Sequence, residues 1–124
     1  MIGSPSKQRA NRFGRHAEAL ACALLLLKGY RILVRNLRVP VGEIDIIARR
    51  GRTLAFIEVK ARSGDGGTAA EALSPRQRRR IVRAAGWFLS ARPELIALTA
   101  RFDLVLVARW RWPEHRTGAW RTDD

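Results

Sequence analysis

Three carboxylates and one lysine stand at alternate positions of two neighbouring β-rich segments, Glu43 and Asp45 in the first and Glu58 and Lys60 in the second. Side chains two positions apart in a strand point to the same face. Carboxylates at short range raise each other's pKa or require a cation. A hard divalent ion such as Mg²⁺ would satisfy the carboxylates, and the lysine would then meet phosphate oxygens. The alternative interpretation is a set of cross-strand ion pairs on a solvated face.

The two segments cover residues 42–49 and 53–62, and the residues between them include Gly51, which suits a tight hairpin. A hairpin with its tip there sets Asp45 across from Phe56 or Glu58. In either register the acids and the lysine converge on one face. The opposite face of the first strand is predicted to carry Ile44, Ile46 and Ala48.

The remaining elements are predicted from apolar periodicity and turn residues. They are a flexible basic arm over 1–12, helices over 15–28 and 75–92, strands over 30–38 and 102–112, a glycine-rich loop over 63–70 and a loose tail over 113–124. Ser74 and Pro75 provide a cap and a first helical residue for the second helix. The order α-β-β-β-α-β predicts one α/β domain over 13–112, a mixed sheet flanked by helices, in which the last strand runs parallel to the third.

The composition restricts the class of partner. With 124 residues the chain has room for one core, and a formal charge of +13 favours polyanions, above all nucleic acid. The single cysteine, Cys22, excludes a disulfide framework and is predicted to be a buried, inert thiol. The apolar run over 19–27 is too short to span a bilayer and lacks a cleavage site, so we expect a cytoplasmic protein that does not bind membranes.

The two acidic segments resemble a known motif. Gly42-Glu43-Ile44-Asp45 followed by Phe56-Ile57-Glu58-Val59-Lys60 is similar to the acid-then-Glu-x-Lys pattern of the PD-(D/E)XK nuclease superfamily. The resemblance extends over residues 12–108 to the YraN family of small bacterial proteins, through Arg15-His16-Ala17-Glu18, Gly29-Tyr30, Arg35-Asn36-Leu37-Arg38 and Arg101-Phe102-Asp103.

This resemblance implies a core of the restriction-endonuclease and Holliday-junction-resolvase type and a Mg²⁺- or Mn²⁺-dependent endonuclease that acts on DNA rather than RNA, including branched DNA. Asp45 and Glu58 would be metal ligands, with the backbone carbonyl of Val59 as a third. Lys60 would orient the attacking water or stabilise charge on the phosphate. Glu18 matches the helical glutamate that resolvase-like members bring to the metal. Such relatives often form homodimers, although no segment here identifies a dimer face.

The second helix is the predicted wall of a nucleic-acid groove, formed by Arg76, Gln77, Arg79, Arg80 and Arg83. Gln77 departs from the family, in which a lysine is common, so it is either a phosphate contact or a plain surface residue. Glu43 either binds a metal through water or pairs with an arginine. The competing function is a non-catalytic nucleic-acid-binding protein that retains the nuclease fold.

Several other residues have structural explanations. Neither His16 nor His115 has metal-ligand spacing, and we expect no catalytic role for them. Asp103 is predicted to pair with Arg101 or a loop amide. Trp110, Trp112 and Trp120 are interleaved with arginines, as a base-stacking surface would be. For Trp110 and Trp112, strand alternation instead favours a role in covering the sheet.

Overall fold

The structure is a computed structural model that describes residues 5–62 and 73–122, without the side chains of residues 5–14 and 62. In this part of the chain the helices are α1 (Pro5–Leu27) and α2 (Pro75–Ala91), followed by a 3₁₀ turn (Pro93–Leu95). The strands are β1 (Arg31–Val39), β2 (Gly42–Arg50), β3 (Thr53–Arg62), β4 (Thr99–Ala108) and β5 (Glu114–Trp120). None of the described helices is long and apolar enough to cross a membrane.

The five strands form one mixed sheet in the order β1-β2-β3-β4-β5. Strands β3 and β4 are parallel, and every other neighbouring pair is antiparallel. Residues of α1 pack with one face of the sheet and residues of α2 with the other. The predicted α/β class and the parallel crossover are therefore confirmed, with one strand more than the sequence indicated.

The two ends of the chain differ from the prediction. Helix α1 begins at Pro5, where an irregular arm was expected, and β5 occupies residues 114–120 of the expected loose tail. The segment of β5 is mostly polar and lacks apolar alternation, so it pairs with β4 through the backbone, and its one buried residue is Trp120 at the C-terminal end. Strand β4 also ends earlier than predicted, at Ala108. The glycine-rich loop predicted over 63–70 lies outside the described residues, as do residues 1–4.

The hairpin between β2 and β3 has the predicted tip. Arg50 pairs with Thr53, and Gly51 adopts a φ of +60°, in the left-handed region that favours glycine. The register runs without a shift from this turn to the pair of Ile46 and Ile57. Turn geometry therefore determines which residues of the two strands lie opposite each other.

Helix α2 begins with the predicted cap. The Ser74 hydroxyl accepts a hydrogen bond from the Gln77 amide (3.2 Å), and the Gln77 side-chain oxygen accepts one from the Ser74 amide (3.0 Å). The apolar side of α2 packs on the sheet through Ile81, Ala84, Ala85 and Phe88. These contacts fix α2 over the strands that carry the acidic residues.

A close backbone approach holds α2 at the start of β2. A Cβ atom built on Gly42 would overlap the carbonyl oxygen of Arg80, so only glycine lets the helix lie this near to the strand. Glu43, the next residue, is thereby placed beside α2.

We expect Gly42→Ala to lower the free energy of unfolding by about 1–3 kcal/mol, because backbone atoms must move to admit the methyl group. The matched control is Gly86→Ala in α2, where an added Cβ meets nothing within 4 Å and improves helix propensity. Urea denaturation of both variants measures the difference. A Gly42→Ala protein as stable as the wild type would show that this contact does not fix the helix.

Candidate functional site

The acidic site lies where β2 and β3 stop pairing. The last pair in the register is Ile46 with Ile57, so Asp45 and Glu58 are opposite each other one position beyond it. Here the Val59 amide donates a hydrogen bond to Asp45 Oδ2 (2.8 Å) instead of to the backbone of β2. The second of the two predicted registers is therefore correct, and it brings the two carboxyl groups together.

The alternation of β2 is interrupted at the same point. Ile46 and Ala48 pack in the cluster on the α1 side, but Ile44 packs with Ile47 in the cluster on the α2 side. The expectation that Ile44, Ile46 and Ala48 share a face was wrong for Ile44. In β1, Asn36 has a φ of +54°, which marks an irregularity beside this point. Asp45 thus occupies a break in the strand pattern.

Burial makes both carboxyl groups harder to ionise. It is the main cause that raises the pKa of Glu58 to about 8, with the charge of Asp45 as the next contribution and Lys60 opposing. Burial also raises the pKa of Asp45, although the hydrogen bond from Val59 opposes that rise. The two carboxyl groups lie close enough for each to shift the pKa of the other. At neutral pH the pair therefore holds a proton that two separate carboxylates would have lost.

Lys60 and Glu43 complete the predicted convergence. Lys60 Nζ lies 3.6 Å from Glu58 Oε1. Glu43 is exposed, and its charge contributes to the raised pKa of Asp45. The alternative interpretation expected cross-strand ion pairs on a solvated face, whereas Lys60 and Glu58 both belong to β3 and pair within that strand, with side chains only 26% and 16% exposed.

A small cavity opens between this group and α2. Its volume is about 80 Å³, and it is lined by Glu43, Glu58, Gln77, Arg80 and Ile81. The cavity can hold a few water molecules. Acidic groups from the sheet and polar groups from the first turns of α2 therefore face the same space.

The residues present fit a divalent cation of the Mg²⁺ type. Within residues 5–62 and 73–122 no group of three or more acidic, histidine or cysteine side chains is arranged to hold a metal. Mg²⁺ needs fewer than three protein ligands, because it usually binds one or two carboxylates and keeps several water molecules. The half-buried residues Asp45 and Glu58 supply those carboxylates, and the cavity beside Glu58 has room for the waters.

Glu18 is engaged elsewhere. Its Oε1 accepts hydrogen bonds from Asn36 Nδ2 (3.0 Å) and Arg35 Nε (3.3 Å). Its charge is not among those that shift the pKa of Asp45 or Glu58. The described contacts therefore join Glu18 to β1, and its role at the metal stays a prediction, as does that of the Val59 carbonyl.

The predicted nucleic-acid residues of α2 are all exposed to solvent. They are Arg76, Gln77, Arg79, Arg80 and Arg83. Gln77 and Arg80 also line the acidic cavity. Because the oxygen of Gln77 is held by the Ser74 amide, its side chain has a fixed direction, and its NH₂ group can still donate to a phosphate.

A second polar cluster surrounds Asp103, which is fully buried. Its carboxylate accepts hydrogen bonds from the Arg101 guanidinium (2.7 and 2.8 Å), from His115 Nε2 (2.8 Å) and from the Gly118 amide (3.0 Å). Burial alone would raise the pKa of Asp103, but these bonds outweigh it and lower the pKa. The predicted pairing of Asp103 with Arg101 is confirmed, whereas the amide that bonds to Asp103 belongs to Gly118 in β5 rather than to a loop.

Sequence reasoning missed the partners that complete this cluster. Lys28 Nζ donates to His115 Nδ1 (2.5 Å), so His115 presents its Nε2 hydrogen to Asp103. Arg101 also donates to the Tyr30 hydroxyl (2.5 Å), and the Arg50 guanidinium lies 4.5 Å from the centre of the Tyr30 ring. No spacing rule joins residues so far apart in the chain. The cluster ties the end of α1 to β4 and β5.

The tryptophans have two different environments. Trp120 is buried and stacked on Phe102, with ring centres 5.6 Å apart. Trp110 and Trp112 follow the end of β4 and are 98% and 75% exposed. The interpretation that they cover the sheet was wrong, because β4 ends at Ala108 before reaching them. Cys22 is buried as predicted, and burial raises the pKa of its thiol.

Comparison with known proteins agrees with the motifs at this site. The model of the uncharacterised protein family UPF0102 matches residues 17–107. The chain belongs to the UPF0102 family. The resemblance to the YraN family is thereby confirmed, since the two names denote the same family.

UPF0102 proteins from several bacteria are similar along almost the whole chain. One from Parvibaculum lavamentivorans is 55% identical over 90% of this chain and 84% of its own length. One from Paramagnetospirillum magneticum is 50% identical over 97% of this chain and 95% of its own length. One from Maricaulis maris is 51% identical over 96% of this chain and 93% of its own length. The family's description names no activity, so the chemistry has to be argued from the site.

The raised pKa of Glu58 predicts how stability depends on pH. In the unfolded chain Glu58 titrates near 4.5, and in the folded protein near 8. Between these values the folded state binds more protons, so in metal-free buffer the free energy of unfolding falls as the pH rises, by up to about 1.4 kcal/mol per pH unit. Denaturation between pH 5 and pH 8 measures this slope.

Glu58→Gln should flatten the slope, and the exposed Glu94 provides the control Glu94→Gln, which should leave it unchanged. Added Mg²⁺ or Mn²⁺ should stabilise the wild type most at the upper end of the range. A wild-type slope equal to that of Glu58→Gln would contradict the raised pKa.

The Asp103 cluster predicts a large stability effect. Asp103→Asn leaves Arg101 without its anion and should cost about 3 kcal/mol, the usual result of breaking a buried charge pair. Glu114→Gln is the matched control, because Glu114 pairs with Arg116 at the same two-residue spacing on an exposed surface and should cost less than about 1 kcal/mol. Urea denaturation compares them, and equal losses would show that burial of Asp103 adds nothing.

Proposed function

We propose that this UPF0102 protein is a divalent-metal-dependent endonuclease that hydrolyses phosphodiester bonds in DNA. The observation that carries the proposal is the half-buried pair of carboxyl groups of Asp45 and Glu58, opposite each other just beyond the last paired residues of β2 and β3, with Lys60 Nζ 3.6 Å from Glu58. A purely structural site would gain from replacing such a pair with apolar residues, because burying two like charges is costly. A site that exchanges a proton for a metal ion needs both carboxyl groups.

Asp45 and Glu58 would hold the cation. When bound, Mg²⁺ or Mn²⁺ polarises the phosphate and lowers the pKa of a water molecule. The Val59 amide orients Asp45 through its 2.8 Å hydrogen bond, so the ligand does not have to be ordered when the metal arrives. The backbone carbonyl of Val59 is the proposed third ligand, and Glu18 the proposed contribution from α1.

Lys60 is the group that would act on the reacting atoms. Its ammonium is kept near the carboxylates by Glu58, at 3.6 Å, and is only partly exposed. A cation in a partly dry site stabilises the negative charge that develops as water adds to phosphorus. One P–O bond forms to water and one breaks, which leaves a phosphate end and a hydroxyl end.

The first turns of α2 supply the proposed path for the substrate. Gln77 and Arg80 border the cavity beside Glu58. Three further arginines of α2 are exposed and, with Arg80, give the helix a positive surface; they are Arg76, Arg79 and Arg83. Such contacts position a phosphate backbone without reading bases, so selectivity would arise from the shape of the DNA. A homodimer and a cytoplasmic location accompany this proposal.

Asp45→Asn and Glu58→Gln should each lower cleavage at least about a hundredfold, because each removes a ligand charge on which the reaction depends. The substrates are linear, nicked, flapped and four-way-junction DNA with Mg²⁺ or Mn²⁺, and binding is followed in parallel by fluorescence anisotropy. Lys60→Met should also lower cleavage while binding is retained.

Glu94→Gln is the control, since Glu94 is an exposed acid distant from the cavity in the fold, and it should cleave like the wild type. Binding without cleavage of any substrate would overturn the nuclease and favour a non-catalytic nucleic-acid-binding protein. Cleavage that survives both acid substitutions would mean that another site is responsible.

A further inference from the structure

Two tryptophans project from the turn between β4 and β5. Trp110 is 98% exposed, the highest value among the large apolar residues described, and Trp112 is 75% exposed, close to the 76% of Leu27. The amide of Arg111 donates to the carbonyl of Ala108 (3.4 Å), so the chain reverses at Trp110. These aromatic side chains contribute almost nothing to the core.

The backbone at Trp110 is unfavourable for its residue type. Its φ is +64°, a conformation that glycine or asparagine adopts easily and a bulky residue rarely does. An exposed aromatic residue in this conformation has no benefit for folding that the structure shows. Strained residues of this kind concentrate at ligand-binding positions.

The turn lies at the same edge of the sheet as the acidic site. In the parallel pair of β3 and β4, Lys60 is opposite Leu106. Trp110 follows Leu106 by four positions, which corresponds to at most about 13 Å along the strand direction. A polymer held at Lys60 can therefore reach the turn within a few monomer units.

The positive charge around the tryptophans indicates that the polymer they bind is a polyanion. Exposed arginines stand on both sides of Trp110, at positions 109 and 111, in a chain of net charge +13. Arginine attracts phosphate, and tryptophan presents a flat face on which a base can stack. In a duplex the base faces are already stacked on each other, whereas in a single strand they are free.

We propose that Trp110 and Trp112 form a stacking surface for unpaired bases of DNA next to the acidic site. The inference rests on the proposed function for its choice of DNA, and it deepens that function by specifying a substrate with a single-stranded segment, such as a flap or an open junction. The arginines of α2 would then hold a duplex part and the tryptophan turn an unpaired part of one substrate.

The test measures binding of the full chain to a fluorescent thymidine homopolymer by anisotropy, in EDTA and at one salt concentration, because phosphate contacts depend strongly on salt. Trp110→Ala and Trp112→Ala should each weaken single-strand binding about fivefold to a hundredfold. Binding to a duplex should change less than about twofold, since the positive surface is intact. Trp110→Phe should keep part of the affinity.

Trp87→Ala is the matched control. Trp87 is 47% exposed but lies six residues beyond Ile81, the last residue of α2 that lines the acidic cavity, which is about 9 Å along the helix. Its substitution should leave single-strand binding unchanged. Trp110→Gly adds a second readout, because relief of the positive φ should keep or raise the melting temperature while single-strand binding falls.

Four results would overturn the stacking surface: no single-strand binding by the wild type, unchanged binding in both alanine variants, tighter tryptophan-dependent binding to a uridine homopolymer, or a blue shift of tryptophan fluorescence with phosphatidylglycerol vesicles but not with the oligonucleotide. Cleavage is assayed on the same proteins with Mn²⁺. Tryptophan-dependent binding without any cleavage would overturn the proposed nuclease function and support the stacking surface. Cleavage with binding that does not depend on the tryptophans would support the nuclease function and overturn the stacking surface.

Discussion

The separation of β2 from β3 beyond the pair of Ile46 and Ile57 is the constraint on which the site depends. Continued pairing would have used the Val59 amide in the sheet ladder, whereas separation makes it a donor to Asp45. The same opening admits the side chain of Glu58 beside Asp45. Helix α2 can cover this opening because Gly42 lets its backbone approach the strand. The separated strands, Gly42 and α2 together therefore determine where the carboxyl groups of Asp45 and Glu58 lie.

The Asp103 cluster has a different purpose in the fold. Strand β5 is mostly polar and has little apolar surface with which to hold itself against β4. Hydrogen bonds from His115 and Gly118 to the buried Asp103 compensate for this, and Lys28 extends the connection to the end of α1. Charged groups that would be costly singly are tolerated here because each has a partner. The turn that carries Trp110 is thereby attached to a strand with a fixed position.

The sequence sufficed for the elements in which local rules agree. Alternation and the glycine at the hairpin tip predicted β2, β3 and the approach of Asp45 to Glu58, and Ser74 predicted the start of α2. Prediction from the sequence failed where contacts between residues far apart in the chain determine the structure. The segment of β5 has no apolar period, because its stability comes from a polar network. The switch of Ile44 to the other face has no local signal, since the sequence over 43–46 alternates acidic and apolar residues like an ordinary strand.

The inward placement of Asp45 and Glu58 also affects how the protein interacts with a polyanion at a distance. The chain has only 11 acidic residues against 24 basic ones, and Asp45, Glu58 and Asp103 are turned inward, where cations or a proton neutralise them. The outward field is consequently that of the arginines, with little acidic surface to offset it. Such a field extends over about one Debye length, roughly 10 Å in ordinary salt. It accelerates diffusional encounter with a polyanion and orients the approach before any contact forms, and dissolved salt rather than side-chain chemistry determines its reach.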